Sequence, residues 1–130
     1  MRLKALAVFS SAFLTIVVIF SGVALHAQQS TFRNAPASAT AMKNPNANSA
    51  AAAAAGNAVY AKNCTQCHGN NRQGMGPAPA LDSDKVRTAN PGGLFWFIGT
   101  GNPGSGMPAW PNLTKQQRWQ LVTFLQTTSK

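Results

Sequence analysis

Acidic residues are nearly missing from this 130-residue chain. Asp82 and Asp84 stand alone against eleven Lys and Arg, a formal net charge of +9. Without the first 27 residues, nine basic and two acidic residues still leave +7. Such an excess serves solubility, and it also steers a protein toward an acidic partner. The basic residues form no Lys/Arg run and no helical stripe, so the electrostatic footprint of a nucleic-acid binder is absent. Cysteine is equally scarce, with Cys64 and Cys67 the only two. A zinc module needs four ligands, and Cys64, Cys67 and His68 are three crowded ones with no second cluster. Leu94 to Ile98 alone could be a buried strand, but no second strand candidate exists, which argues against a thiol–disulfide oxidoreductase, whose Cys-x-x-Cys sits in a βαβ unit.

What is present is Cys64-Thr65-Gln66-Cys67-His68. Two thiols three residues apart with a histidine directly after the second form the attachment site of a covalent c-type haem. On a helical turn, positions i and i+3 share a face, so both sulfurs can reach one porphyrin edge. His68 can then approach the iron from one side.

The N-terminus reads as an export signal. Arg2 and Lys4 are followed by an uncharged stretch, Ala5 to Leu25, and by small residues near Ala24 and Ala27. Cleavage after Ala24 places Gly22 at the −3 position; cleavage after Ala27 places Leu25 there. The uncharged stretch is also long enough to span a bilayer as an uncleaved anchor and membrane tether. Either way the remainder is expected outside the cytoplasm, in a bacterial periplasm or on the outer face of the membrane. Three regions are therefore expected: 1–27 as signal or anchor, 28–49 as a disordered tether rich in Ala, Asn, Pro and Ser, and 50–130 as the folded domain.

Within the domain, Ser49 is a candidate N-cap ahead of the alanine run Ala50 to Ala55. A helix is predicted from there through Cys64, with Gly56, Tyr60, Cys64 and Cys67 on one face. Gly56 would let another helix cross closely beside Tyr60. Gly69 to Pro79 reads as loop, Ser83 to Thr88 as a short helix, and Asn90-Pro91-Gly92-Gly93 as a break. Leu94 to Ile98 is predicted as a short helix and Thr100 to Pro111 as loop. Thr114 with Gln117 fits a capping box opening a last helix, whose Leu121, Phe124 and Leu125 form a stripe flanked by Trp119 and Val122. That stripe can pack on the Gly56–Tyr60 face.

The second axial ligand has few candidates. His26 lies in the leader, so a cleaved chain keeps only His68, and bis-histidine ligation within one chain is excluded. Met1 is the start, Met42 falls in the tether, and Met75 is too near His68 to circle to the other face. Met107, in Gly106-Met107-Pro108, remains. A loop methionine can also be a simple gap-filler. As a ligand, its thioether would raise the reduction potential.

These residues resemble the small monohaem class I cytochromes c over about Gly56 to Lys130. The family pattern has a glycine and an aromatic eight and four places before the first cysteine, matched by Gly56 and Tyr60. Cys64, Cys67 and His68 follow, then a Pro-x-Leu, met by Pro79-Ala80-Leu81. Pro77 is a rival that lacks the leucine. A Met-Pro pair, Met107-Pro108, and a last helix with Leu121 and Phe124 complete the set. The short interval from histidine to methionine is similar to compact bacterial and algal members. The resemblance implies an all-α, cytochrome c-like fold of three to four short helices and loops around one covalent haem c. It implies that the Pro79 carbonyl receives the N–H of His68, and that Met107 is the sixth ligand.

The activity it implies is one-electron transfer with redox protein partners, by a monomer that is not an enzyme. A haem-based ligand sensor or peroxidase-like enzyme is the alternative if Met107 does not bind the iron. Expected pocket walls are Tyr60, Pro79, Leu81, Trp96, Phe97, Pro108, Trp110, Leu113 and Leu121, each of which could equally be ordinary core. Trp119 could be a partly exposed flank. Lys62, Arg72, Lys85, Arg87, Lys115 and Arg118 are candidates for docking an acidic partner surface, or plain surface charges.

Overall fold

The computed structural model describes residues 31–127. The expected signal or anchor, 1–27, lies outside the described residues. Three helices carry the architecture: α2 (Ala50–Asn63), α5 (Pro91–Thr100) and α6 (Lys115–Leu125). Three single turns complete the helical set: α1 (Ala37–Thr40), α3 (Thr65–His68) and α4 (Asp84–Arg87). Short 3-10 turns cover Phe32–Asn34 and Pro103–Ser105. Among the described residues there is no strand, only isolated bridges at Met75–Ala78 and Asn102–Met107. No helix among them is long and apolar enough to cross a membrane.

Local chemistry sets the helix starts. The Ser49 side chain accepts from the Ala52 amide at 3.1 Å, capping α2. Thr114 and Gln117 complete both halves of the capping box on α6. Asn90-Pro91-Gly92-Gly93, expected as a break, is instead the start of α5. Asn90 accepts from the Gly93 amide at 2.9 Å, and Pro91 occupies the first turn, where no N–H is needed.

Helices α2 and α6 cross closely at Gly56. A Cβ built there would lie 2.6 Å from the Gln120 carbonyl carbon and 2.8 Å from Phe124 Cβ. Beside the crossing sits the core of Tyr60, Val86, Leu94, Phe95, Ile98, Leu113, Trp119, Leu121, Val122 and Leu125. Trp119 is buried rather than flanking, stacked on Phe95 with ring centres 4.2 Å apart.

The segment expected as a disordered tether departs from that expectation over its described part. Residues 31–49 lie as a strap against α5 and α6. Ala39 is buried, and a Cβ on Gly92 would meet the Ala39 carbonyl carbon at 3.0 Å. Phe32 meets Phe97 edge-on, with ring centres 6.4 Å apart. Asn90 Nδ2 donates to the Thr40 carbonyl, and Asn44 Nδ2 donates to Thr123 Oγ1. Thr123 Oγ1 in turn approaches the Asn46 carbonyl at 3.3 Å. The strap docks through backbone groups, small residues and two widely spaced apolar side chains, Phe32 and Met42, so it carries none of the apolar periodicity by which packed segments announce themselves.

Candidate functional site

The end of α2 and the turn α3 place both thiols. Cys64 terminates α2, its amide bonded to the Tyr60 carbonyl at 2.8 Å, and it opens α3. One turn later the Cys67 and His68 amides return to the Cys64 carbonyl at 3.2 and 2.9 Å. Both cysteines are free thiols; Cys64 is half-buried and Cys67 exposed. Burial, and then the neighbouring Cys67, push the Cys64 thiol up to about 11. In the haem-free chain this thiol therefore stays protonated at neutral pH.

His68 Nδ1 lies 2.9 Å from the Pro79 carbonyl oxygen. A carbonyl only accepts, so Nδ1 is the donor, and in the neutral ring the lone pair then belongs to Nε2. The intervening loop is tightly pinned. Gly69 takes φ +76°, its carbonyl receives the Tyr60 hydroxyl at 2.7 Å, and the Gly74 amide returns to the His68 carbonyl at 2.8 Å. Met107 is held at the end of a small closed loop, with Asn102 N–H donating to its carbonyl and its own N–H donating to the Asn102 carbonyl. Gly101, at φ +67°, lets the end of α5 approach that loop. A Cβ there would lie 2.5 Å from the Pro108 carbonyl carbon.

The expected pocket walls divide by exposure. Leu81, Trp96, Phe97 and Trp110 are half-buried and have apolar surface to lend, while Pro79 and Pro108 are exposed. Leu113 and Leu121 are buried. Tyr60 is 1% exposed, packed on Phe124 with its hydroxyl committed to Gly69. A cleft of about 240 Å³ opens beside the attachment turn, lined by Lys62, Asn63, Trp110, Asn112, Leu113 and Gln117. The docking candidates divide as well. Lys62, Lys85 and Lys115 are exposed. Arg87 is half-buried and paired with Asp84, and Arg118 lies 4.6 Å over the Phe95 ring. Arg72 is buried and is no surface charge. Nothing in the sequence pattern marked Arg72 as buried or Gly101 as a point of close approach.

Residues 51–125 match the model of the family described as cytochrome c oxidase, cbb3-type, subunit III. The chain belongs to that family. It is a small class I cytochrome c with a helical fold, and covalently attached haem c is its cofactor. Among solved structures it is similar to cytochrome cL from the marine methylotrophic bacterium Methylophaga aminisulfidivorans. That match has a TM-score of 0.52 and 30% identity, over 60% of this chain and 53% of that one. The chain thus spans about half the length of cytochrome cL. No curated protein matches it. The residues in place suit the cytochrome c cofactor: two unpaired thiols on one turn, an imidazole whose Nδ1 is engaged by a carbonyl, and half-buried aromatics.

Proposed function

We propose that this protein is a one-electron carrier in which Cys64 and Cys67 bind haem c covalently and His68 and Met107 supply the axial ligands. The observation that carries the reading is the His68 Nδ1–Pro79 contact at 2.9 Å, one residue beyond the paired thiols. It holds the ring in the tautomer a ligand needs and raises the donor strength of Nε2. The haem, when bound, supplies the ferrous–ferric couple. The chain's own residues attach it, orient it and limit its contact with water. Leu81, Trp96, Phe97 and Trp110 offer partly exposed apolar surface that such a macrocycle would cover. With His68 and Met107 both engaged, no axial position stays open for a substrate, which makes the protein a carrier rather than an enzyme.

The partners are redox proteins with an acidic docking surface. Lys62 stands at the cleft beside Cys64, and exposed Lys85 and Lys115 add to the steering charge. The protein works as an exported monomer, in the periplasm or on the outer face of the cytoplasmic membrane, consistent with Arg2, Lys4 and the uncharged stretch 5–25. Expression with haem-attachment machinery, followed by intact mass and a ferric spectrum, tests the reading. One added haem is expected, with a methionine–iron band that Met107→Ala removes. A colourless product ends the proposal. A high-spin ferric spectrum in the unaltered protein would favour the ligand-sensing or peroxidase-like alternative.

A further inference from the structure

Arg72 has no part in haem attachment, yet it is the most constrained charged residue of the described chain. It is 4% exposed and takes φ +62°, a left-handed backbone that strains a non-glycine residue. Burial also pulls the pKa of its guanidinium down. A side chain both strained and desolvated persists only where its surroundings over-determine it. Here they do. Nη1 donates to the Phe124 carbonyl at 2.9 Å and to the Thr127 carbonyl at 3.1 Å, at the end of α6. The guanidinium also lies 4.6 Å from the centre of the Phe124 ring. A cation at a helix C-terminus is favoured by the helix dipole.

The main chain of Arg72 reaches the opposite way. Its amide donates to the Gly69 carbonyl at 3.2 Å, and its carbonyl accepts from Leu81 at 2.7 Å and from Asp82 at 3.3 Å. Leu81 is two residues beyond Pro79, whose carbonyl faces His68 Nδ1. One residue thus ties the end of α6 to the segment that orients the imidazole.

We infer that Arg72 is a positioning residue for His68: by fastening the Leu81–Asp82 backbone to the end of α6, it keeps the Pro79 carbonyl on Nδ1 and maintains the donor strength of Nε2. The inference rests on the reading of His68 as an iron ligand. It is tested in the haem-loaded protein by proton exchange at His68 Nδ1, followed by NMR, together with the reduction potential. Arg72→Lys keeps the charge but not the two-carbonyl reach. Arg72→Gly relieves the left-handed backbone but removes the clamp. In both, exchange at Nδ1 and at the Leu81 amide is expected to accelerate roughly tenfold or more relative to the Val122 amide, the loss of about one hydrogen bond. The potential of Arg72→Lys is expected to rise, because a weaker Nδ1–H bond makes a poorer donor of Nε2. Equal acceleration at all three sites, or an unmoved Arg72→Lys potential, would mean that Arg72 is merely structural.

The unaltered protein supplies a check that needs no variant. In sub-denaturing guanidinium, His68 Nδ1–H, the Leu81 amide and the Gln126 and Thr127 amides should exchange through one shared opening. Separate openings overturn the inference even if neither variant folds. Failure of the haem reading shows independently, as unaltered protein that lacks the mass of a covalent haem.

Discussion

The Tyr60 hydroxyl reports on the attachment loop through pH. Burial, and secondarily Cys64, raise it from 10.0 to about 12. Folded and unfolded chains are both protonated below pH 10, so no stability is lost there. Between pH 10 and 12 the unfolded phenol ionises first, and the fold weakens progressively as pH rises. Unfolding free energies of Tyr60→Phe should start lower at pH 8, by about 1 kcal/mol for the lost bond to Gly69. They should then fall less than those of the unaltered protein up to pH 12; parallel curves would assign the alkaline loss to another group. Gly101 abuts the loop that carries Met107, the proposed second ligand. An alanine there adds about 1–2 kcal/mol of left-handed strain and presses on the Pro108 backbone. Gly101→Ala is therefore expected to weaken the methionine–iron band while leaving haem attachment intact, and an undiminished band would show that the loop absorbs the intrusion.

At the scale of elements, the α2–α6 crossing depends on Gly56 having no side chain. The obstacle to a Cβ is the Gln120 main chain, which cannot swing aside as a side chain could. Gly56→Ala should cost about 2–3 kcal/mol, the upper range for overpacking. For a domain of this size that lowers the melting temperature by roughly 10–20 °C, and a thermal melt within a few degrees of the parent would show that the helices can separate cheaply. This crossing is legible in the amino-acid sequence, because the spacing from Gly56 to Tyr60 and the capping residues Ser49 and Thr114 are local signals. The strap and the clamp at Arg72 are not. The strap's polar anchors are the Thr40 and Asn46 carbonyls and the Asn44 side-chain amide, which composition reads as solvated chain, and its apolar anchors, Phe32 and Met42, stand too far apart to make a pattern. Arg72 reaches carbonyls more than fifty positions away, and no local pattern distinguishes such a guanidinium from a surface charge. Asn90-Pro91 misleads for a different reason: the residues that end one element also begin the next.

The whole molecule is small for the work its core must do. Ten buried hydrophobics form one cluster, and among the described residues no disulfide reinforces it. Leu81, Trp96, Phe97 and Trp110 are only half-buried by protein, so part of their apolar surface contributes nothing to folding until something covers it. Domains of this size bury a modest share of their surface and depend on added cross-links, metals or cofactors. A macrocycle held by two covalent bonds would supply that cover and cannot be lost by dissociation. Cys64→Ala combined with Cys67→Ala would remove both bonds at the cost of two sulfur atoms, with His68 and the capping side chains of Ser49 and Thr114 untouched. The doubly substituted chain is expected to be largely unfolded, with the helical circular dichroism of the haem-loaded parent mostly gone and no cooperative thermal transition. A native-like helical signal with a sharp melt from the haem-free chain would show instead that the ten-residue cluster and the strap suffice, and that the haem serves electron transfer without being needed for the fold.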